Sequence, residues 1–173
     1  MVQKPTYRMQ YKRRRELKTN YRKRIALLKS NKPRLVVRKT NRYIIAQVII
    51  SKEAQDYTIV GITSKILKKY DWKFSFKNLP ASYLTGLIIG KLAIKKGINE
   101  AVLDIGLNRA TKGNRIFAVL RGALDAGLKI PHSEEILPSE ERIKGFHITY
   151  LEKFKDLPKI FEEVKEKILK DYG

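Results

Sequence analysis

Three apolar segments rich in β-branched and aromatic residues follow one another closely in the first half of the chain. They cover residues 34–38, 43–50 and 57–63, and short turn-prone segments separate them. Connections this short join antiparallel neighbours, because a parallel crossover needs about a dozen residues or more. The middle segment is apolar on both of its alternating faces, which predicts a central strand covered on both sides. The chain is therefore expected to fold around a sheet that begins as an antiparallel meander.

Helical periodicity follows these segments and alternates with one more short strand. Residues 80–97 carry apolar side chains at helical spacing, and residues 101–105 indicate a short buried strand. Two amphipathic helices are predicted over residues 114–126 and 158–170. This order predicts the α/β class, with a mixed sheet, helices on both faces of the sheet and a C-terminal helix.

Gly86 and Gly90 form a G-x-x-x-G pair within the first of these helices. Small residues at this spacing let another backbone element approach the helix closely. In a chain of this kind the pair favours close packing of the helix on the sheet over a dimer contact.

Positive charge is concentrated near the N-terminal end of the chain. The 173 residues carry a net charge of +21, and residues 1–42 contain 16 basic residues with Glu16 as the one acid. Residues 130–173 are slightly acidic. Solvated helix faces normally mix both signs, so the first segment predicts an arm that binds a polyanion. Nucleic acid is the first candidate partner, and an anionic membrane surface is the second.

Part of this basic segment is predicted to be helical. Asn20 is a suitable N-cap for a helix over residues 20–30. Tyr21, Ile25 and Leu28 form a narrow apolar stripe on that helix, which could fix it to a core.

The length of the chain suits one ordinary domain with an appendage. The expected division is a basic RNA-binding arm with a short helix over residues 1–32, an α/β core over residues 33–130 and a C-terminal helical extension over residues 131–173.

Several classes of function are excluded by what the sequence lacks. The chain contains no cysteine, and its two histidines, His132 and His147, lie too far apart in the sequence for a familiar zinc site. The N-terminal region has no apolar stretch typical of a secretory signal. We therefore expect a soluble intracellular protein with no metal, no cofactor and no small-molecule substrate, and with no membrane partner unless the basic arm lies on a membrane surface.

Asp104 is the strongest candidate for a catalytic carboxylate, because it ends a buried strand. Two-metal nuclease chemistry needs several convergent acids, and the earlier strands offer Arg34 and Arg38 instead. Isolated aspartates at strand ends commonly bind the amides of the following turn. The sequence therefore favours a loop-bonding role for Asp104 and predicts that the chain is not an enzyme.

The loop over residues 106–115 follows this strand and leads into a helix. It contains Arg109, Lys112 and Arg115 and no acid. Unpaired amides at a helix N-terminus favour anions, so the loop is a candidate for phosphate contact. The alternative is an ordinary strand-to-helix connection with solubilising charges.

Four separated blocks of the sequence resemble a known family. They are YKRRRELKTNYRKRIALLKS, KPRLVVRKTNRYIIAQVI, WKFSFKNLPASYLTGLIIGKLA and the block that starts AVLDIGLNRATKGNRIFAVL, and they occur in collinear order between about residues 5 and 150. Together they resemble the archaeal and eukaryotic branch of large-subunit ribosomal protein eighteen, the family that binds 5S rRNA.

This resemblance implies an α/β fold with a ribonuclease-H-like core and no nuclease activity. It implies a structural protein, located in the large ribosomal subunit in the cytoplasm, that helps to attach 5S rRNA to 23S rRNA in the central protuberance beside neighbouring ribosomal proteins. It also implies a set of RNA-binding positions in the arm, the first strand and hairpin, and the cationic loop: Lys12, Arg13, Arg14, Arg15, Lys18, Thr19, Asn20, Tyr21, Arg22, Lys23, Arg24, Arg34, Arg38, Asn41, Arg42, Lys112, Gly113 and Arg115.

Two other functions stay open on composition and fold class alone. A general basic nucleic-acid-binding protein, such as a DNA architectural factor, would use the arm as a non-specific clamp. A nuclease of ribonuclease-H-like fold would depend on Asp104.

Overall fold

The computed structural model describes residues 8–53 and 55–172. Its sheet has four strands in the order β3-β2-β1-β4, and these are β1 (Arg34–Lys39), β2 (Ile44–Lys52), β3 (Gln55–Thr63) and β4 (Val102–Asp104). β1 and β3 are antiparallel to β2, and β4 runs parallel to β1. The predicted meander, the mixed sheet and the central place of the second strand are confirmed.

Six α-helices are found in the described residues: α1 (Lys12–Arg15), α2 (Tyr21–Leu28), α3 (Leu79–Lys95), α4 (Arg115–Asp125), α5 (Glu140–Lys144) and α6 (Leu157–Tyr172). A 3-10 helix over Ser64–Tyr70 connects the meander to α3 and is absent from the sequence predictions. The first seven residues of the basic arm predicted over residues 1–32 lie outside the described residues. In the described part of the chain, no helix has the length and apolarity needed to cross a bilayer.

α3 lies between two apolar clusters and is buried along most of its length. On one side, Ile89 and Ala93 pack with sheet residues such as Val37 and Val48 and with α4. On its other side, α3 contacts the 3-10 helix and α6, which contributes Phe161, Val164 and Ile168. α6 therefore packs on the domain itself through one apolar face, as an amphipathic helix does.

The two faces of β1 have different surroundings, because side chains alternate along a strand. Leu35 and Val37 point into the cluster under α3 and α4. Arg34 and Arg38 point to the opposite face, where Arg24 of α2 contacts Asp56 of β3. Helices thus lie on both faces of the sheet, and the predicted fold class is confirmed.

The G-x-x-x-G pair packs against a helix and not, as predicted, against the sheet. A side-chain carbon at Gly86 would overlap the backbone oxygen of Val119 in α4, and one at Gly90 would lie 2.6 Å from the Cβ of Ala126. Gly122 of α4 is equally close to the backbone of α3. Sequence spacing shows that a helix has a flat stripe, but the identity of the partner depends on tertiary packing.

We predict that Gly86→Ala destabilises the fold by about 3 kcal/mol or more, because the α3–α4 backbones would have to separate. Gly61→Ala is the matched control, since a side-chain carbon there would meet its neighbours at 3.5 Å, an ordinary contact distance. Urea unfolding followed by circular dichroism measures both changes. Equal stability of the two variants would contradict the close helix contact.

Candidate nucleic-acid interface

α2 begins as the sequence predicts but is not fixed to the domain by the predicted stripe. The backbone N–H of Lys23 donates to Asn20 Oδ1 at 3.2 Å, so Asn20 is the N-cap. Ile25, however, is 53% exposed, and α2 contains no fully buried residue. Arg24 faces the domain instead and docks the helix through its ion pair with Asp56, while Leu27 lines a groove beside the domain.

Arg34 is buried on the α2 side of the sheet, where it is only 2% exposed. Its guanidinium donates to Asp104 Oδ2 at 3.0 Å, to Asp56 Oδ1 at 2.8 Å and to Ser51 Oγ at 3.2 Å. A buried cation without such partners would cost several kcal/mol. The burial of Arg34 argues against direct contact with RNA, so we leave it out of the interface proposed below.

Asp56 connects α2 to this buried cation. One carboxylate oxygen accepts from Arg34 and from the hydroxyl of Ser51, and the other accepts from Arg24 Nη2 at 2.9 Å. Burial by itself raises the pKa of Asp56, but hydrogen bonds from Ser51, Arg24 and Arg34 outweigh it, so the pKa lies below its ordinary value of 3.8.

Asp104 has the loop-bonding role that the sequence favours. Its Oδ1 accepts from the backbone N–H of Gly106 at 2.8 Å and from Arg38 Nη2 at 3.0 Å, while Oδ2 accepts from Arg34. Arg38 also donates to the backbone oxygen of Asp104 at 2.7 Å. Both carboxylate oxygens are therefore engaged by internal donors. Among the described residues, no group of three or more histidine, aspartate or glutamate side chains could hold a metal ion.

A groove of about 650 Å³ separates the arm from the end of β4. Six of the predicted arm residues line one wall, and Arg38 with residues 103–108 lines the other. The arm residues are Arg13, Lys18, Thr19, Asn20, Lys23 and Arg24. Asp104 is the one acid among the described residues that line this groove. The structure thus brings together positions that are distant in the sequence and places them along one cationic cleft.

Most of the remaining predicted arm residues are exposed to solvent. Every residue of α1 is exposed, including Lys12, Arg14 and Arg15, and Arg22 on α2 is exposed as well. Tyr21 packs on Tyr11 with ring centroids 5.1 Å apart. These cations project from the arm into solvent, where a phosphate backbone could reach them.

Asn41 and Arg42 occupy the turn between β1 and β2. Thr40 closes this turn, since its hydroxyl donates to the backbone oxygen of Tyr43 at 2.9 Å and accepts from the N–H of that residue at 2.9 Å. Both Asn41 and Arg42 are exposed at its tip.

The three predicted loop residues do not line the groove and have other partners. Lys112 forms an exposed ion pair with Glu135 at 2.9 Å, and Arg115 donates to the backbone oxygen of Lys77 at 3.2 Å. Gly113 donates its N–H to the oxygen of Ile136 at 3.0 Å, with φ at +66°. These contacts fix the loop to the C-terminal segment and to the residue preceding the α3 cap.

Sequence reasoning missed Asp56 and the aliphatic part of the groove. Asp56 lies opposite Ser51 across the β2–β3 hairpin, and that pairing follows from the predicted turn. Leu27, Leu103 and Leu107 also line the groove, but their periodicity gave no sign of this because they belong to different elements.

Comparisons with known proteins agree on one family. A family model described as ribosomal large subunit proteins 60S L5 and 50S L18 matches residues 5–100 and 95–133. The large ribosomal subunit protein uL18 of Korarchaeum cryptofilum is 53% identical over 157 residues, which cover 90% of this chain and 80% of the relative. The uL18 of Caldivirga maquilingensis is 44% identical, with 100% of this chain and 95% of the relative covered.

We predict that Asp104→Asn destabilises the fold by about 3–5 kcal/mol, because Arg34 would keep its buried charge with one ionic partner fewer. Glu135→Gln removes one member of an exposed pair and should cost about 1 kcal/mol or less. Urea unfolding at neutral pH compares the two variants. Similar small losses would show that the Arg34 cluster contributes no more than a surface pair.

Acid should weaken the fold partly through Asp56. Because folding lowers the pKa of Asp56, the unfolded chain binds more protons near the ordinary pKa. The stability that this group contributes is therefore present above about pH 4 and lost as the pH falls through the folded pKa. Urea unfolding at about pH 6 and pH 3 should show a smaller loss for Asp56→Asn than for the unchanged chain.

Proposed function

The chain belongs to the family of ribosomal large subunit proteins 60S L5 and 50S L18, and from this membership we propose that it binds 5S rRNA and helps to attach it to 23S rRNA in the central protuberance. Family membership itself makes the chain a structural protein of the large ribosomal subunit, in the cytoplasm with the ribosome, and not an enzyme. Those predictions are confirmed. The two rRNA partners and the residues that contact them are the proposal.

The observation on the structure that supports RNA binding is the separation of charge on the folded chain. The nearly acid-free N-terminal segment forms the exposed helix α1, one wall of the groove and the β1–β2 turn. Two acids lie beside this segment on the sheet, Asp56 and Asp104, and each forms ion pairs with arginines of the same chain. A polyanion that approaches this side therefore meets a surplus of cations.

The proposed interface has a direct part and a supporting part. Residues that face solvent or the groove are the proposed contacts: Lys12, Arg13, Arg14, Arg15, Lys18, Thr19, Asn20, Tyr21, Arg22, Lys23, Asn41 and Arg42. Arg24 and Arg38 are anchored on aspartates and would both hold the surface and present remaining donors to phosphate. Lys112, Gly113 and Arg115 form a second proposed contact region.

Most of these groups would act by neutralising phosphates, and this fixes the position of the protein on the RNA. The major groove of an RNA helix is too narrow for side chains to read base edges. Selectivity for one rRNA would therefore depend on the shape of the RNA and on its unpaired nucleotides, which amide and aromatic side chains can contact.

A general basic nucleic-acid-binding protein remains the alternative, because the same charge pattern would bind any duplex. The two functions differ in selectivity and not in salt dependence, since both release counterions. The family match favours the ribosomal function.

We predict that a variant with Lys12, Arg14 and Arg15 changed to glutamine binds 5S rRNA more weakly and with a shallower salt dependence. The slope of log affinity against log salt should fall by roughly 0.7–0.9 for each phosphate that the variant no longer neutralises. The matched control changes three exposed lysines of the C-terminal region, Lys153, Lys159 and Lys170, and should bind almost as the unchanged chain does. Filter binding at several salt concentrations measures both variants.

An unrelated RNA duplex of equal length tests selectivity in the same assay. Retained preference for 5S rRNA at high salt is the expected result. Equal affinity for the two RNAs would refute the 5S proposal and support the general binder.

A further inference from the structure

The groove between α2 and the end of β4 is lined by both aliphatic and cationic side chains. Its lining includes the aliphatic side chains of Leu27, Leu103 and Leu107, and Leu107 is 53% exposed. Cations of the arm, among them Arg13 and Lys23, line the same space. The groove of about 650 Å³ lies within the range of roughly 300–1,000 Å³ that small-molecule sites have.

Charge restricts what can enter this groove. Asp104 is the one acid that lines it among the described residues, and both of its oxygens accept from internal donors. Arg24 and Arg38 are paired with aspartates, whereas Arg13 and Lys23 have no ionic partner within the described residues. These two exposed cations attract an anion and repel a cation, so the groove favours an anionic occupant.

The aliphatic side chains restrict the occupant further. A bare phosphate would gain nothing from Leu27 and Leu107, and an RNA helix keeps its bases stacked inside. A single unpaired nucleotide offers both a planar apolar base and flanking phosphates. The base would bury aliphatic surface, and the phosphates would lie against Arg13 and Lys23.

The walls of the groove are held in place before any ligand binds. Arg24 fixes α2 to Asp56, and Asp104 fixes both Arg38 and the N–H of Gly106 on the opposite wall. Gly106 has φ at +61°, and a side-chain carbon there would lie 2.8 Å from the guanidinium of Arg38. A groove with such fixed walls loses little conformational entropy when it is filled.

We propose that this groove takes up one unpaired nucleotide of the bound RNA, with its base against Leu27 and Leu107 and its phosphates on Arg13 and Lys23. This inference rests on the RNA-binding role proposed above but not on the identity of the RNA. It assigns shape selectivity to a defined site, while α1 supplies contacts that any RNA could use.

The test uses the full chain and two RNA stem-loops with the same number of phosphates. One carries a single bulged 2-aminopurine and the other is fully paired, with its 2-aminopurine inside the stem. Fluorescence anisotropy measures affinity, and the emission of 2-aminopurine reports whether the bulged base changes its environment. The unchanged chain should bind the bulged RNA roughly tenfold more tightly, as expected when a base is buried against apolar side chains.

Two variants alter the groove without changing its charge. Ala26→Leu fills space beside Leu27 on α2 without adding an aromatic ring on which a base could stack, and Leu107→Ala removes aliphatic surface from the loop. Ile25→Met is the control, because Ile25 is exposed on the same helix and does not line the groove. Both groove variants should lose most of the preference for the bulged RNA while keeping their affinity for the paired RNA, and the control should keep the preference.

Equal affinity of the unchanged chain for the two stem-loops would overturn the inference. A preference that survives in both groove variants would overturn it too, since the bulge would then bind elsewhere. Failure of the 5S proposal is a separate result: the bulge preference would persist while 5S rRNA and an unrelated RNA bind equally well.

Discussion

The guanidinium of Arg34 on β1 bonds to groups on the other three strands and, through Asp56, is connected to the arm of this protein. Arg34 is 2% exposed and lies between Asp104 on β4 and Asp56 on β3. Each of these aspartates also forms an ion pair with a second arginine. Asp56 holds Arg24 of α2, and Asp104 holds Arg38 together with an amide of the following loop. Since a buried cation is tolerated only with such partners, the order of the strands and the docking of α2 are coupled.

This cluster also explains how a chain with so much positive charge presents a defined cationic surface. The aspartates on the arm side of the sheet are neutralised by internal arginines, so they weaken the external field little. The arginines themselves are fixed, and they set the two walls of the groove. Cations that face solvent, such as those of α1, are left to attract phosphate. The arginines paired with aspartates hold the sheet and α2 in place, and the exposed cations of α1 have no such structural task.

Much of this arrangement can be predicted from sequence. The β-branched segments indicate the meander, the cap at Asn20 marks the start of α2, and the lack of companion acids argues against catalysis by Asp104. The errors have a common physical cause. The stripe on α2 counts Ile25 as a buried residue, yet it is 53% exposed, because Arg24 docks the helix through an ion pair that apolar periodicity does not detect. Likewise, Gly86 shows that α3 has a flat surface but not that α4 covers it.

Sequence by itself determined the class of the fold, the sign and location of the charge and, through the family match, the place of the chain in the large ribosomal subunit. The fold class and the location of the charge follow from local patterning and composition, which act over a few neighbouring residues. The place in the subunit follows from similarity to the family. Only the tertiary structure decided which arginines are buried and which face solvent. Arg34 and Arg14 both belong to the basic N-terminal segment. Strand pairing surrounds Arg34 with carboxylates, whereas Arg14 lies on the exposed helix α1. That difference depends on residues up to 70 positions away, beyond the reach of local pattern.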